Sequence, residues 1–393
     1  MQSHAGSTKT DWIESLEVES GLTDVHLEGG PRPTLASRVA ASLDRLIVTE
    51  ASLPYVLNVR STLGAMPFER YMAEHAFYTD PRFLEDPRSF YQEPPDDVVV
   101  TETHEAHRFE RLGVDCRHIV FESPFRTLNP ALRHEYAGLS PNERVEARGF
   151  FHRDRPRTIA IVLHGYFASA FGLNERFFLV DRMIRAGLDV VLVQLPFHGL
   201  RQPPGSLFDG QAIMTPRYFR VLEAVGQGVL DLRILVRHLR KTRNVPVGVT
   251  GYSWGGTHSA LLAALEPDLA FSMPVGHVAS MVDVLQAWPV KHYLRYRFDD
   301  PATILRGLRR IVAPTSPLSF APAIDPGRIL LVCGLGDRIA PPGHTQHLHE
   351  RWPGSRVHWS QGAHIAYYDR AAVLRTQLAF LGGMGLLGAN PTA

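Results

Sequence analysis

The sequence predicts an α/β protein built on a mostly parallel, doubly wound sheet of about eight strands. Three observations carry that expectation. Continuous apolar runs, such as TIAIVLHG (158–165) and LDVVLVQLP (188–196), read as strands covered on both faces. Helical segments alternate with such runs from about residue 116 onward. One of the strands, VPVGVTG (245–251), passes directly into a glycine-flanked serine and then into a helix of small residues.

In chain order, CRHIVFESPF (116–125) and RVEARGFF (144–151) read as the first two strands. The second alternates Val145, Ala147 and Gly149 with charged neighbours. After TIAIVLHG, NERFFLVDRMIRAG reads as a helix capped by Asn174 and stopped by Gly187. After LDVVLVQLP, VLDLRILVRHLRKT (229–242) puts Leu232, Leu235, Val236 and Leu239 on one helical stripe. WGGTHSALLAALE reads as a helix and LAFSMPVG (269–276) as a strand. RILLVCGLGD (328–337) and SRVHWSQGAH (355–364) are two more strands, each followed by a helical segment. Between Gly276 and Arg328 the alternation breaks. There MVDVLQAWPVKHYLRYRFDDPATILRGLRRIV reads as a helical lid or cap inserted at about 279–326. It falls at the C-terminal edge of the sheet, where open α/β sheets bind ligands. The main domain therefore spans 116–393, and residues 1–115 read as an N-terminal extension packed on it. The extension contains a helix pattern, LASRVAASLDRLIV, and a proline- and acid-rich stretch, DPRFLEDPRSFYQEPPDD.

Composition narrows the function classes. With 45% hydrophobic and 21% charged residues over 393 positions, the chain is an ordinary globular sequence. A net charge of +1 gives no global field to recruit nucleic acid or an acidic membrane. Cys116 and Cys333 both fall in strand-like runs and read as small buried apolar residues. The N-terminus lacks the basic and apolar regions of a secretory signal, and no apolar run is long enough to span a bilayer. The expectation is a cytoplasmic protein acting on a small molecule, with no nucleic-acid partner and no transmembrane segment. Its oligomeric state is not legible.

The residues Gly251-Tyr252-Ser253-Trp254-Gly255 fit a G-x-S-x-G turn between strand and helix. In that setting the serine adopts a strained positive-φ backbone, and side chains in place of the glycines would strike the neighbouring strand and helix. A serine hydroxyl is a poor nucleophile until a base takes its proton. Among 19 histidines, position discriminates. His364, in SQGAHIAYY, follows the last predicted strand and opens on the same sheet edge as Ser253. His164 (LHGY) and His198 (LPFHGL) also end strands and are expected to shape the pocket floor. His258 points away on the elbow helix. His344, His347 and His349 read as one helix face, not as a metal site.

A histidine base needs an acid to orient it. Asp337, in CGLGDRIAPP, ends the penultimate strand at the same edge; Asp283, in ASMVDV, is the competitor but falls inside the insertion. A tetrahedral intermediate needs preorganised N–H donors. The Trp254 N–H at the start of the elbow helix and the Tyr166 N–H are the candidates. Gly165 would let that backbone approach the ligand, and Phe167 would line the acyl pocket with Tyr166. The expected substrate-binding set is thus His164, Gly165, Phe167, His198 and Trp288. No metal is expected.

LHGY, LPFHG, GYSWGG, GLGDRIAPP and QGAH, in that order over about residues 116–385, resemble the motifs of the α/β-hydrolase superfamily, with no subfamily identified. One departure is Pro196-Phe197, where the family's D-x-x-G-H-G loop carries a charge. The resemblance implies an eight-stranded sheet, a Ser-Asp-His triad in that chain order, no cofactor, and cleavage of ester, thioester, amide or related acyl bonds. The expected function is a serine hydrolase of carboxylesterase or lipase type working through an acyl-enzyme. The alternatives are a non-hydrolytic binding protein or receptor on the same fold, and an acyltransferase using the same triad. The aromatic residues Tyr166, Phe167, Trp254, Trp288 and Tyr293 favour an apolar acyl group or an aromatic ester.

Overall fold

Among the described residues, the apolar runs and one polar edge strand pair into one nine-stranded sheet in the order β1-β2-β3-β5-β4-β6-β7-β8-β9. The strands are β1 (Thr101–His104), β2 (Val114–Glu122), β3 (Arg144–His152), β4 (Ile159–Leu163), β5 (Asp189–Val193), β6 (Val247–Tyr252), β7 (Ser272–Val275), β8 (Leu330–Gly334) and β9 (Arg356–Ser360). The computed structural model describes residues 11–15, 31–46, 73–213, 218–287 and 301–387. Pairing is antiparallel from β1 through β3 to β5 and parallel from β5 to β9. The strand beyond the expected eight is β1, whose sequence TETH is polar and almost wholly exposed, so it carries no apolar signal. Residues 101–104, on the extension side of the expected boundary, therefore belong to the sheet.

Strands β4 to β8 are buried along their whole lengths, and alternate residues feed two separate cores. Ile161, Leu163, Val191, Val193 and Val249 face the helices Tyr218–Arg243 and Trp254–Leu265. Ala160, Val162, Val190 and Leu192 face the helices Val180–Arg185 and Arg370–Gly383. The segment read as one helix after β4 is two, Phe171–Phe177 and Val180–Arg185, broken at Leu179 with φ 55°. Asn174 lies inside the first of these, and its amide donates to Ala168 O and Ala170 O instead of capping. The helix expected at 229–242 begins eleven residues earlier, at Tyr218.

The described part of the insertion between β7 and β8 holds two α-helices, Met281–Ala287 and Pro301–Val312, followed by short 3-10 turns and irregular chain. A buried ion pair, Arg309 Nη2 to Asp283 Oδ1 at 2.5 Å, joins its two helices. The N-terminal residues reach the main body through polar links. Trp12 Nε1 donates to Ser319 Oγ at 3.0 Å, Tyr91 Oη to Pro314 O at 2.7 Å and Tyr78 Oη to Glu223 Oε1 at 2.6 Å. Among the described residues, no helix is long and apolar enough to cross a membrane.

Candidate active site

Three strand ends converge on one point at the C-terminal edge of the sheet. Ser253 follows β6 with φ 55° and ψ −113°, the strained geometry expected of a strand-to-helix elbow. The glycines are required by contact. A Cβ on Gly251 would lie 2.4 Å from Gly255 O, and one on Gly255 would lie 2.3 Å from Leu163 O. One on Gly256 would lie 2.7 Å from Val275 O. The elbow is thus wedged between β4 and β7, and Ser253 N–H donates to Val275 O at 2.8 Å.

His364, on the loop after β9, places Nε2 2.8 Å from Ser253 Oγ. Its Nδ1 lies 2.6 Å from Asp337 Oδ2, on the loop after β8. The other oxygen of Asp337 accepts the N–H groups of Ile339 and Ala340 at 2.9 and 2.7 Å, which aims the carboxylate at the imidazole. With Nδ1–H donating to a carboxylate, Nε2 is left as the acceptor for the serine proton. Asp283 is instead paired with Arg309 inside the insertion.

Comparison with known proteins bears on the fold that carries these residues. A family profile described as alpha/beta hydrolase domain containing 18 matches residues 110–287. Acetyl xylan esterase 1 from Thermoanaerobacterium sp. JW/SL YS485 superposes with a TM-score of 0.50 at 16% identity, covering 80% of this chain and 99% of the esterase. An acetyl xylan esterase from Paenibacillus sp. R4 gives a TM-score of 0.51 at 12% identity over 80% of this chain and 99% of its own. The chain has the α/β-hydrolase fold. In sequence, it is also 29% identical to the uncharacterized protein Rv2627c of Mycobacterium tuberculosis over 380 residues, 92% of this chain and 86% of the relative.

In this α/β-hydrolase fold, two loops flank the elbow. Gly255 N–H donates to His164 O at 3.0 Å, and the Cβ position of Gly165 lies 3.6 Å from Ser253 Cβ. Tyr166 therefore follows directly beside the serine. Its ring packs edge-on against Trp254, and its hydroxyl donates to Gly210 O. Trp254 is the first residue of the elbow helix, so its N–H has no intrahelical acceptor. Phe167, with φ 64°, is 48% exposed and packs against Phe208 at the rim.

Two of the expected substrate contacts are corrected. His164 and His198 are buried with their rings turned inward. His164 Nδ1 bonds Gly165 O at 2.8 Å and its Nε2 accepts Leu195 N–H at 3.0 Å, so both nitrogens are committed. His198 Nδ1 bonds Pro196 O at 2.8 Å, and its ring stands edge-on behind Tyr166. Burial pushes the His164 pKa down to about 3 and that of His198 to about 4, so both stay neutral struts under the loop. Trp288 and Tyr293 lie outside the described residues.

His364 behaves differently. Burial opposes its positive charge, but the neighbouring carboxylates of Asp337 and Asp44 outweigh that and raise its pKa above 6.5. Two residues that sequence reasoning did not single out hold it. Tyr252 donates its hydroxyl to His364 O and packs its ring, tilted by 42°, against the imidazole at 5.2 Å between centroids. Asp44, from the N-terminal helix, accepts the His364 N–H at 2.7 Å. Tyr252 was in view as the variable position of the G-x-S-x-G motif. Nothing local to Asp44 signals a partner 320 residues away.

Proposed function

We propose that the protein is a serine hydrolase that cleaves a carboxylic ester through an acyl-enzyme. The observation that carries this reading is the unbroken series from Ser253 Oγ to His364 Nε2 and from His364 Nδ1 to Asp337 Oδ2, at 2.8 and 2.6 Å. Ser253 Oγ attacks the acyl carbon while His364 Nε2 takes its proton, and the carbonyl electron pair moves to oxygen. The Trp254 and Tyr166 N–H groups hold that oxyanion, each such donor contributing about 3–4 kcal/mol in comparable sites. Collapse expels the alcohol, which leaves with the proton carried by His364. Water then attacks the acyl-enzyme by the same route in reverse, returning the proton to Ser253.

A small pocket at the elbow helix is lined by Leu222, Val225, Trp254, Val278, Met281 and Val312, with Thr257 and Thr315. A short acyl group is favoured by the two structural neighbours named for acetyl xylan esterase activity, which have this fold. The buried, unpaired Cys116 and Cys333 are compatible with action in the cytoplasm. The test is hydrolysis of p-nitrophenyl esters from acetyl to octanoyl, with the acyl-enzyme trapped by rapid acid quench and located by mass spectrometry. Turnover falling with chain length and acylation at Ser253 are expected. No turnover on any ester, or acyl transfer confined to an added alcohol or amine, would overturn the reading.

A further inference from the structure

We propose that Asp44 is a positioning residue for His364, contributed by the N-terminal extension: its carboxylate clamps the histidine loop to the acid loop and places a second negative charge beside the imidazole. The inference rests on His364 being the base.

The geometry is specific. Residues 35–46 form a helix on which Leu35, Val39, Leu43 and Leu46 are exposed while Asp44 is fully buried. Burying an aspartate on the side of a surface helix is costly unless its oxygens are satisfied. Here Oδ2 accepts the N–H of His364 at 2.7 Å and of Arg338 at 3.2 Å, and Oδ1 accepts the N–H of Ile365 at 2.9 Å. Arg338 adjoins Asp337, so one carboxylate grips both loops of the triad. Burial and the nearby Asp337 charge raise the Asp44 pKa, while the N–H donors aimed at both oxygens favour the carboxylate form.

The same helix makes further contacts to these loops. Ser37 Oγ donates to Gln361 Oε1 at 2.5 Å and Thr34 N–H donates to it at 3.0 Å. Ser37 O lies 2.7 Å from where a Cβ on Gly336 would stand, an approach only glycine permits next to Asp337. The family profile begins at residue 110 and so does not contain this helix.

His364 faces Ser253 and Tyr252 from β6, Asp337 from the β8 loop, Asp44 from the N-terminal helix and His344 from the helix Pro342–Arg351. Asp44 faces Asp337 and Arg338, and Arg338 in turn feels Arg45. Within this set only Asp337 and Asp44 are carboxylates raising the His364 pKa. Removing the Asp44 charge therefore lowers it.

The experiment uses the full chain as wild type, Asp44→Asn and Asp44→Glu. The His364 ring C–H signal, assigned with His364→Gln, is titrated by NMR, and the rate of fluorophosphonate labelling is followed against pH. In Asp44→Asn the His364 pKa and the labelling midpoint are expected to fall together, with labelling at pH 8 at least tenfold slower. Asp44→Glu keeps the charge but misplaces it, so the pKa should stay near wild type while labelling slows. A folded Asp44→Asn with wild-type titration overturns the proposal, even if its thermal stability drops, because a mere structural anchor would behave that way. Should Asp44→Asn not fold, wild-type labelling by Asp44→Glu overturns it instead. If the wild type takes up no probe, the hydrolase reading fails, and the NMR titration still decides the role of Asp44.

Discussion

Gly255→Ala probes the wedge that sets Ser253 against its neighbouring loop. The added Cβ would lie 2.3 Å from Leu163 O, 2.5 Å from Leu163 C and 2.7 Å from His164 O. Ordinary contact begins at 3.4 Å, so the elbow and the β4 loop must part by about 1.1 Å (3.4 − 2.3). All three contacts are backbone, held in the centre of the sheet, and no flexible side chain can absorb the shift. Overpacking of this kind costs about 1–3 kcal/mol, and weakening the buried Gly255 N–H to His164 O bond adds about 1 kcal/mol. The same displacement separates the Trp254 and Tyr166 N–H groups, and a misplacement of about 1 Å near the reacting atoms is worth about 10²-fold in rate. Urea unfolding followed by circular dichroism, together with fluorophosphonate labelling of the folded protein, measures both effects. Gly307→Ala is the control. It lies in the helix Pro301–Val312 with open space where the Cβ would go, and should stabilise by about 0.5–1 kcal/mol. If Gly255→Ala retains wild-type stability and labels within twofold of wild type, the close-approach explanation of the elbow is wrong.

Other consequences concern charge. Because the His364 pKa is raised above 6.5 and the base must be neutral, kcat/KM for a p-nitrophenyl ester should climb with pH through a midpoint above 6.5. A midpoint below that value would contradict the electrostatics. Asp337→Asn should slow labelling on the order of 10⁴-fold by favouring the wrong imidazole tautomer. Asp283→Asn should leave the labelling rate of folded protein near wild type while lowering stability by about 3–5 kcal/mol, since it removes a buried charge facing Arg309. The reverse pattern would exchange the roles of the two acids.

How much of this was legible in the sequence follows from range. The central strands were readable because burial on both faces leaves continuous apolar runs, as in β4 and β5. The Ser253 turn was readable because close backbone approach forces glycine at 251, 255 and 256. Strand β1 was not, since an exposed polar edge strand has the composition of a loop. His164 and His198 sit at strand ends, which is where ligands bind, but burial and hydrogen bonding turned their rings inward. Asp44 looks like any polar residue on a surface helix, and only the folded chain brings it to His364. Local pattern thus exposed the candidate nucleophile, base and acid, and concealed the long-range contacts around them.

The central claim is that Ser253 is a nucleophile activated by His364. The most direct measurement is intact-mass and peptide mapping after exposure to a fluorophosphonate probe, on wild type, Ser253→Ala and His364→Gln. One adduct on the peptide containing Gly251–Gly256 is predicted for wild type, none for Ser253→Ala, and labelling slowed at least a hundredfold for His364→Gln. An unlabelled wild type, or equal labelling of Ser253→Ala, would contradict it.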